Sequence, residues 1–186
     1  MMRAQEIEQY LQALDQALVD QGIITPLPVL LLGGAYIAIT VNTRRATNDI
    51  DVYPFIGSER DQATGIPLAV ALHQAIQMVA ERLHLHPLWF NTIRLGALQP
   101  SGYLPQKRRP WRKYRVLEVS LPEPEYVLLQ KLLVHRQKDR PDISALFRLL
   151  GITDYASAQA LLDRYISQGE QQQRRLPLLL RSYFRE

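Results

Sequence analysis

The sequence predicts a small mixed α/β sheet flanked by helices, followed by an all-helical C-terminal part. Short apolar runs alternate with helix-period segments over the first two thirds of the chain, and only helix-period segments follow Pro122. The length of 186 residues suits one such sheet domain with a helical appendage. The expected division is a sheet core with its N-terminal helix over residues 1–121, and a helical part over 122–186 packed on it as one unit.

The elements follow in order. Ile7, Tyr10, Leu11, Leu14 and Leu18 form one apolar stripe at helical spacing, with Glu and Gln elsewhere. Pro26 and Pro28 interrupt the chain, and Val29 to Leu32 is a continuous apolar run that reads as a strand buried on both faces. Gly33-Gly34 turns the chain into a short apolar helix, Ala35 to Ile39. Arg44 to Tyr53 reads as a second strand stopped by Pro54, and Gly57 to Pro67 as a loop. A long helix follows from Leu68 to about Leu83, with Val70, Ile76, Val79 and Ala80 inward. His86 to Phe90 and Tyr114 to Leu121 read as further strands. Between them Pro100, Gly102, Pro105 and Pro110 make an irregular connection. Helices are expected over Tyr126 to Arg136 after Pro122 and Pro124, over Asp142 to Leu150 ended by Gly151, and through Ile166 from a cap at Thr153 or Asp154.

Composition narrows the function classes. Hydrophobic residues at 47% and charged residues at 22% exclude a disordered or collagen-like chain. The absence of cysteine excludes disulfide scaffolds, thiolate zinc sites and cysteine nucleophiles. No charge falls between Asp20 and Arg44, a length that could span a bilayer. Its prolines, paired glycines and polar Thr25, Thr40 and Asn42 fit a strand, turn and buried helix better. No signal-peptide pattern opens the chain, so a cytoplasmic location without membrane contact is expected.

The segment Arg45-Ala46-Thr47-Asn48-Asp49-Ile50-Asp51-Val52 carries the chemistry. On a strand, Asp49 and Asp51 share one face, with Cβ atoms about 6 to 7 Å apart, while Ile50 and Val52 take the other. Two such acids repel unless a cation neutralises them, and paired carboxylates hold magnesium in phosphoryl-transfer sites. An isolated Asp-x-Asp is more often a solvated strand end. Gly33-Gly34 opening a helix adds backbone N–H groups that can cradle phosphate, although by itself such a pair is an ordinary tight turn.

Gly33-Gly34, an apolar helix and Arg45-x-Thr47-x-Asp49-Ile50-Asp51 together resemble the nucleotidyltransferase fold of the polymerase-beta type. The similarity is to the small bacterial branch related to minimal nucleotidyltransferases and AbiEii-type abortive-infection toxins. Lys131, Arg136 and Lys138-Asp139-Arg140-Pro141-Asp142-Ile143 resemble that branch's lysine helix and following motif, and Trp89-x-Asn91 with Gly102-x-x-Pro105 a mid-chain feature. The resemblance covers about Leu30 to Leu150. It implies a magnesium- or manganese-dependent transfer of a nucleoside monophosphate from an NTP to a hydroxyl of RNA, such as a tRNA end, or of a protein. The protein would then be toxin or antitoxin of a pair. Asp49 and Asp51 would bind the metals and act in catalysis; Gly33, Gly34, Arg45 and Thr47 would contact the nucleotide. Lys131 would stabilise phosphate charge, Asp139 or Asp142 would be a further acid, and Glu118 is the candidate third metal carboxylate. Gly34 and Ala35 carry no hydroxyl where many members have one, and this motivates an alternative: the same fold as a non-catalytic nucleotide-sensing or macromolecule-binding module.

The net charge of +4 conceals a local feature. Lys107 to Arg115 holds six basic residues and no acid, so the rest of the chain is slightly acidic. Lys107, Arg108, Arg109 and Arg112, with Trp111 and Tyr114 interleaved, are candidate nucleic-acid contacts, evenly weighed against a solvated hairpin. A plain RNA-binding domain using this run is a third reading. His84 and His86 would share a strand face and are expected to be a surface pair. His135 is expected on a helix surface, and Ser120, Ser144 and Ser157 have no triad signature. Asp142 also suits a helix N-terminus, and Arg174, Arg175, Arg181 and Arg185 a solvated face of a C-terminal helix.

Overall fold

A computed structural model describes residues 1–41, 46–92 and 107–184. These fall into two compact units, the first made of residues 1–92 and 108–121, the second of residues from 122 onward with 107.

In the first unit, α1 (Ala4–Asp20) precedes β1 (Leu27–Leu32), α2 (Gly33–Thr40), β2 (Ile50–Pro54), α3 (Leu68–Leu83), β3 (Phe90–Thr92), β4 (Arg108–Lys113) and β5 (Leu117–Pro122). The five strands form one mixed sheet in the order β3-β2-β1-β5-β4. β1 pairs antiparallel with β2 and parallel with β5, and β2 pairs parallel with β3. Val29 to Leu32 of β1 point to alternate faces of the sheet and are all buried, so both faces of this strand are covered, which is why it is an uninterrupted apolar run. The apolar stripe of α1 is buried at Ile7, Leu11, Leu14 and Leu18. Trp89 is 1% exposed; its indole donates to the Ile76 carbonyl at 3.1 Å and its ring lies edge-on to Tyr10.

Two buried aspartates fasten loops to this unit. Asp15 accepts the backbone N–H groups of Arg115, Val116 and Leu117, joining α1 to the turn before β5. Asp61 accepts from the amides of Ile24, Thr25, Ala63 and Thr64 and from the Thr64 hydroxyl. Burial works to raise the Asp61 carboxyl, but these hydrogen bonds outweigh it and hold the group well below the usual carboxylate range.

The second unit contains α4 (Pro124–Val134), a 3₁₀ turn over Gln137–Asp139, α5 (Arg140–Leu149), α6 (Tyr155–Tyr165), α7 (Gln168–Gln173) and α8 (Leu176–Arg181). Proline stands in the first turn of α4, α5 and α8, where its missing N–H costs no helical bond. Asp154 caps α6 through the Ser157 amide. Among the described residues no helix is long and apolar enough to cross a membrane.

Several local expectations change. Val70 is exposed, because α3 turns Leu68, Ala71, Leu72, Ala75, Ile76 and Val79 inward. His84 ends α3 in a left-handed conformation, and His86 accepts the Leu88 amide in the following turn. They share no strand, since β3 begins only at Phe90. The run around Pro110 is a strand rather than an irregular loop: β4 is a sheet edge in the described residues, where a missing N–H is tolerated. The acidic strand also begins later than expected, at Ile50, with Asp49 just ahead of β2.

Candidate functional site

The candidate site lies where β1 runs into α2. β2 is antiparallel to β1, and its register sets Asp51 opposite Leu32, the residue immediately before the glycines. Gly33 has φ +63°, a left-handed conformation that favours glycine, and a Cβ there would run into the Asp51 carboxylate. A Cβ on Gly34 would come within 2.5 Å of the Thr47 hydroxyl oxygen and 3.0 Å of Thr47 Cβ. The paired glycines are therefore demanded twice, by backbone conformation and by close approach. They bring the first turn of α2, whose N–H groups have no intrahelical acceptor, against the acidic segment.

β3 supplies the next member. Its parallel register places Asn91 beside Asp51, and the Asn91 amide nitrogen donates to Asp49 Oδ2 at 3.2 Å and to Asp51 Oδ1 at 3.3 Å. The Thr47 hydroxyl lies 3.0 Å from the Asp49 carbonyl and 3.3 Å from Asp49 Oδ1. Backbone bonds between Thr47 and Met2, at 2.6 and 2.9 Å, anchor Thr47 to the start of the chain. Asp49, Asp51, Gly33, Gly34 and Thr47 thus lie close together, and all are half-buried. Arg45 lies outside the described residues, as do Gly102 and Pro105. An open cleft of about 890 Å³ adjoins the site, between α3 and β3, with Ile76, Phe90 and Asn91 among its lining residues.

Glu118 is not brought to this pair. It sits in register with Pro28 on β1, whereas Asp51 is opposite Leu32, four residues further along. At about 3.3 Å per residue that is about 13 Å of strand. The Glu118 carboxylate instead pairs with Lys113 at 2.7 Å. Among the described residues no group of three acids or histidines is placed to hold a metal. Asn91 occupies the place beside the two aspartates, and the sequence marks it only as part of Trp89-x-Asn91. The parity of a three-residue strand is legible; its neighbour in the sheet is not.

Lys131, Asp139 and Asp142 form a cluster within the second unit. Lys131 Nζ, on α4, lies 3.0 Å from Asp139 Oδ1 and 2.8 Å from Asp142 Oδ2, while Arg136 Nε lies 2.9 Å from Asp139 Oδ2. The Lys131 side chain is 8% exposed and the two carboxylates 4% and 3%. Burial works to raise Asp139, but the hydrogen bonds from Lys131 and Arg136 prevail and keep it below the usual range. The resemblance would set Lys131 on phosphate and make Asp139 or Asp142 a further acid; within the second unit the three are ion-pair partners.

The basic run is also largely engaged. Arg112 pairs with Glu8 at 2.5 Å, Lys113 with Glu118, and Arg115 with Gln16. The Arg108 guanidinium stacks 4.2 Å above Phe55. Arg109 is exposed and makes no ion pair among the described residues, and Lys107 is likewise exposed. The edge is basic, but it presents fewer uncommitted charges than its sequence shows.

Compared with known protein families, curated proteins and solved structures, the chain matches none.

Proposed function

We propose that the first unit binds a nucleoside triphosphate and transfers its nucleoside monophosphate to a hydroxyl of RNA or of a protein. The observation that supports this most is the apposition of Gly33 and Asp51, so close that a side chain on Gly33 would displace the carboxylate. Helix N–H groups facing two carboxylates can receive both halves of a metal–phosphate ligand. In the transfer, the acceptor hydroxyl oxygen bonds to the α-phosphorus as the bond to the pyrophosphate oxygen breaks, and the hydroxyl proton leaves to solvent. Asp49 and Asp51 would hold magnesium or manganese, which would screen the triphosphate charge. The donor set suits such an ion, because magnesium commonly takes one or two carboxylates and completes its shell with water and phosphate. The first turn of α2 would orient the phosphates, and positioning would supply most of the rate. The exposed Arg109 and Lys107, on and beside the β4 edge, favour a polyanionic acceptor.

The test is incubation of the full chain with α-labelled NTPs, magnesium and total RNA. Label should enter the acceptor with the wild type and be lost in the Asp49→Ala/Asp51→Ala variant; label that persists in the variant overturns the assignment. A second reading, a non-catalytic nucleotide-binding module, is favoured by Glu118 lying away from the two aspartates, in register with Pro28 and paired with Lys113. It is distinguished by nucleotide binding that needs Asp49 and Asp51 without any transfer of label.

A further inference from the structure

We propose that Met2 is a positioning residue for the candidate site: its backbone bridge to Thr47 sets Asp49 in place as a cation ligand. The proposal rests on the nucleotide-site reading above. The two aspartates are held by different means. Asp51 lies inside β2, where its register with Leu32 and Asn91 sets the direction of its side chain. Asp49 lies ahead of β2, outside that ladder. Its segment is pinned on either side instead. On one side the Ile50 N–H donates to the carbonyl of buried Trp89 at 2.7 Å. On the other, Met2 and Thr47 form an isolated antiparallel bridge: the Met2 N–H donates to the Thr47 carbonyl at 2.6 Å, and the Thr47 N–H to the Met2 carbonyl at 2.9 Å.

Both ends of the bridge are rooted. Met2 is buried, and Arg3, which follows it, is the N-cap of α1, with its N–H donating to the Glu6 carboxylate at 2.9 Å. The buried stripe of α1 fixes that helix, so Met2 has little freedom to follow a moving loop. At the other end, the Thr47 hydroxyl carries one proton and meets two acceptors, the Asp49 carbonyl at 3.0 Å and Asp49 Oδ1 at 3.3 Å. Whichever oxygen it serves, it holds Asp49. Thr47 also closes over Gly34, where its hydroxyl oxygen leaves no room for a Cβ. The contacts therefore run from α1 through Met2 and Thr47 to Asp49, and they set this acid against the first turn of α2. Met2 acts on the ion only through orientation, and loss of such an outer partner typically weakens a metal site about 10- to 100-fold.

The experiment titrates the full chain with Mn²⁺ alone, with free ion read by electron paramagnetic resonance, so that no nucleotide contact of Thr47 enters the result. Met2→Pro removes the N–H given to Thr47, whereas Met2→Ala keeps both backbone bonds and removes only the buried side chain. Met2→Pro should bind Mn²⁺ about tenfold more weakly than wild type, and Met2→Ala should stay close to wild type. In amide hydrogen exchange, peptides covering Thr47 to Asp49 should exchange faster in Met2→Pro, with those of α3 unchanged. Thr47→Val, which keeps the bridge and loses the hydroxyl, should also weaken Mn²⁺ binding, and Thr47→Ser should restore it. This second pair decides the outcome if circular dichroism shows that Met2→Pro does not fold. Wild-type affinity in Met2→Pro or in Thr47→Val overturns the proposal, as do equal losses in Met2→Pro and Met2→Ala; in those cases the nucleotide-site reading stands. No Mn²⁺ on the wild type overturns both.

Discussion

Replacing Lys131 with methionine tests whether this lysine braces the second unit or serves a phosphate. The substitution keeps the length of the stem between Leu128 and Leu132, both buried on α4, and removes only the charge. In the native cluster two cations meet two carboxylates, with ion-pair distances of 2.8 to 3.0 Å and both acids almost fully enclosed. Without Lys131, Arg136 still faces Asp139, but its side chain is 59% exposed and weakly placed to compensate. Asp139 and Asp142 then both lose the ammonium that bridges them. Breaking a buried pair in this way costs about 3 to 5 kcal/mol. At about 2 to 4 °C per kcal/mol for a chain of this size, the unfolding midpoint should fall by about 6 to 20 °C.

Urea unfolding followed by circular dichroism measures the loss, and a double-mutant cycle identifies its cause. Adding Asp142→Asn to Lys131→Met removes one of the two buried carboxylate charges that Lys131 offsets and should recover about 1 to 3 kcal/mol of the deficit. The pH dependence has a definite sign. Because the Asp139 carboxyl is held below its ordinary value, its contribution is present above the unfolded carboxyl pKa of about 3.9 and is lost as pH falls through the lower folded value. Loss of Lys131 raises that folded value, so the variant should unfold at higher pH than the wild type. A Lys131→Met protein within about 0.5 kcal/mol of wild type, or a double variant no more stable than the single, refutes the brace. A loss of nucleotide binding with stability unchanged would return Lys131 to the phosphate.

Two further outcomes are expected. Gly33→Ala should lower stability by at least about 1 to 2 kcal/mol from the left-handed backbone alone, more where Asp51 must move, and should remove the nucleotide binding proposed for this site; thermal melts and a nucleotide titration read the two effects. Asp61→Asn should flatten the acid limb of the stability profile, because a depressed carboxyl contributes above about pH 4 and loses that contribution as pH falls toward its folded value; urea midpoints across that range measure it.

The order of elements in the first unit and the acidic segment were legible because their signals are local. An apolar run names a buried strand, a helical stripe names α1, and paired glycines before an apolar segment name a turn. The same locality explains the misreadings. Val70 belongs to an apolar helix whose inward face is decided by what packs against it, and β4 carries a proline that its place at a sheet edge tolerates. Counting basic residues from Lys107 to Arg115 could not reveal that Glu8, Gln16, Phe55 and Glu118 engage four of them.

By itself the sequence determined the mixed α/β class, the glycine turn and the two aspartates, since each follows from spacing along a few neighbouring residues. Only the tertiary structure decided what those aspartates face. Strand order and register put Asn91, some 40 residues away, against both carboxylates, and left Glu118 at the other end of β1. The folding of α4, the 3₁₀ turn and α5 likewise closed Asp139 and Asp142 around Lys131. Charge and shape become chemistry through such pairings, and no spacing along the chain encodes which residues will share a face.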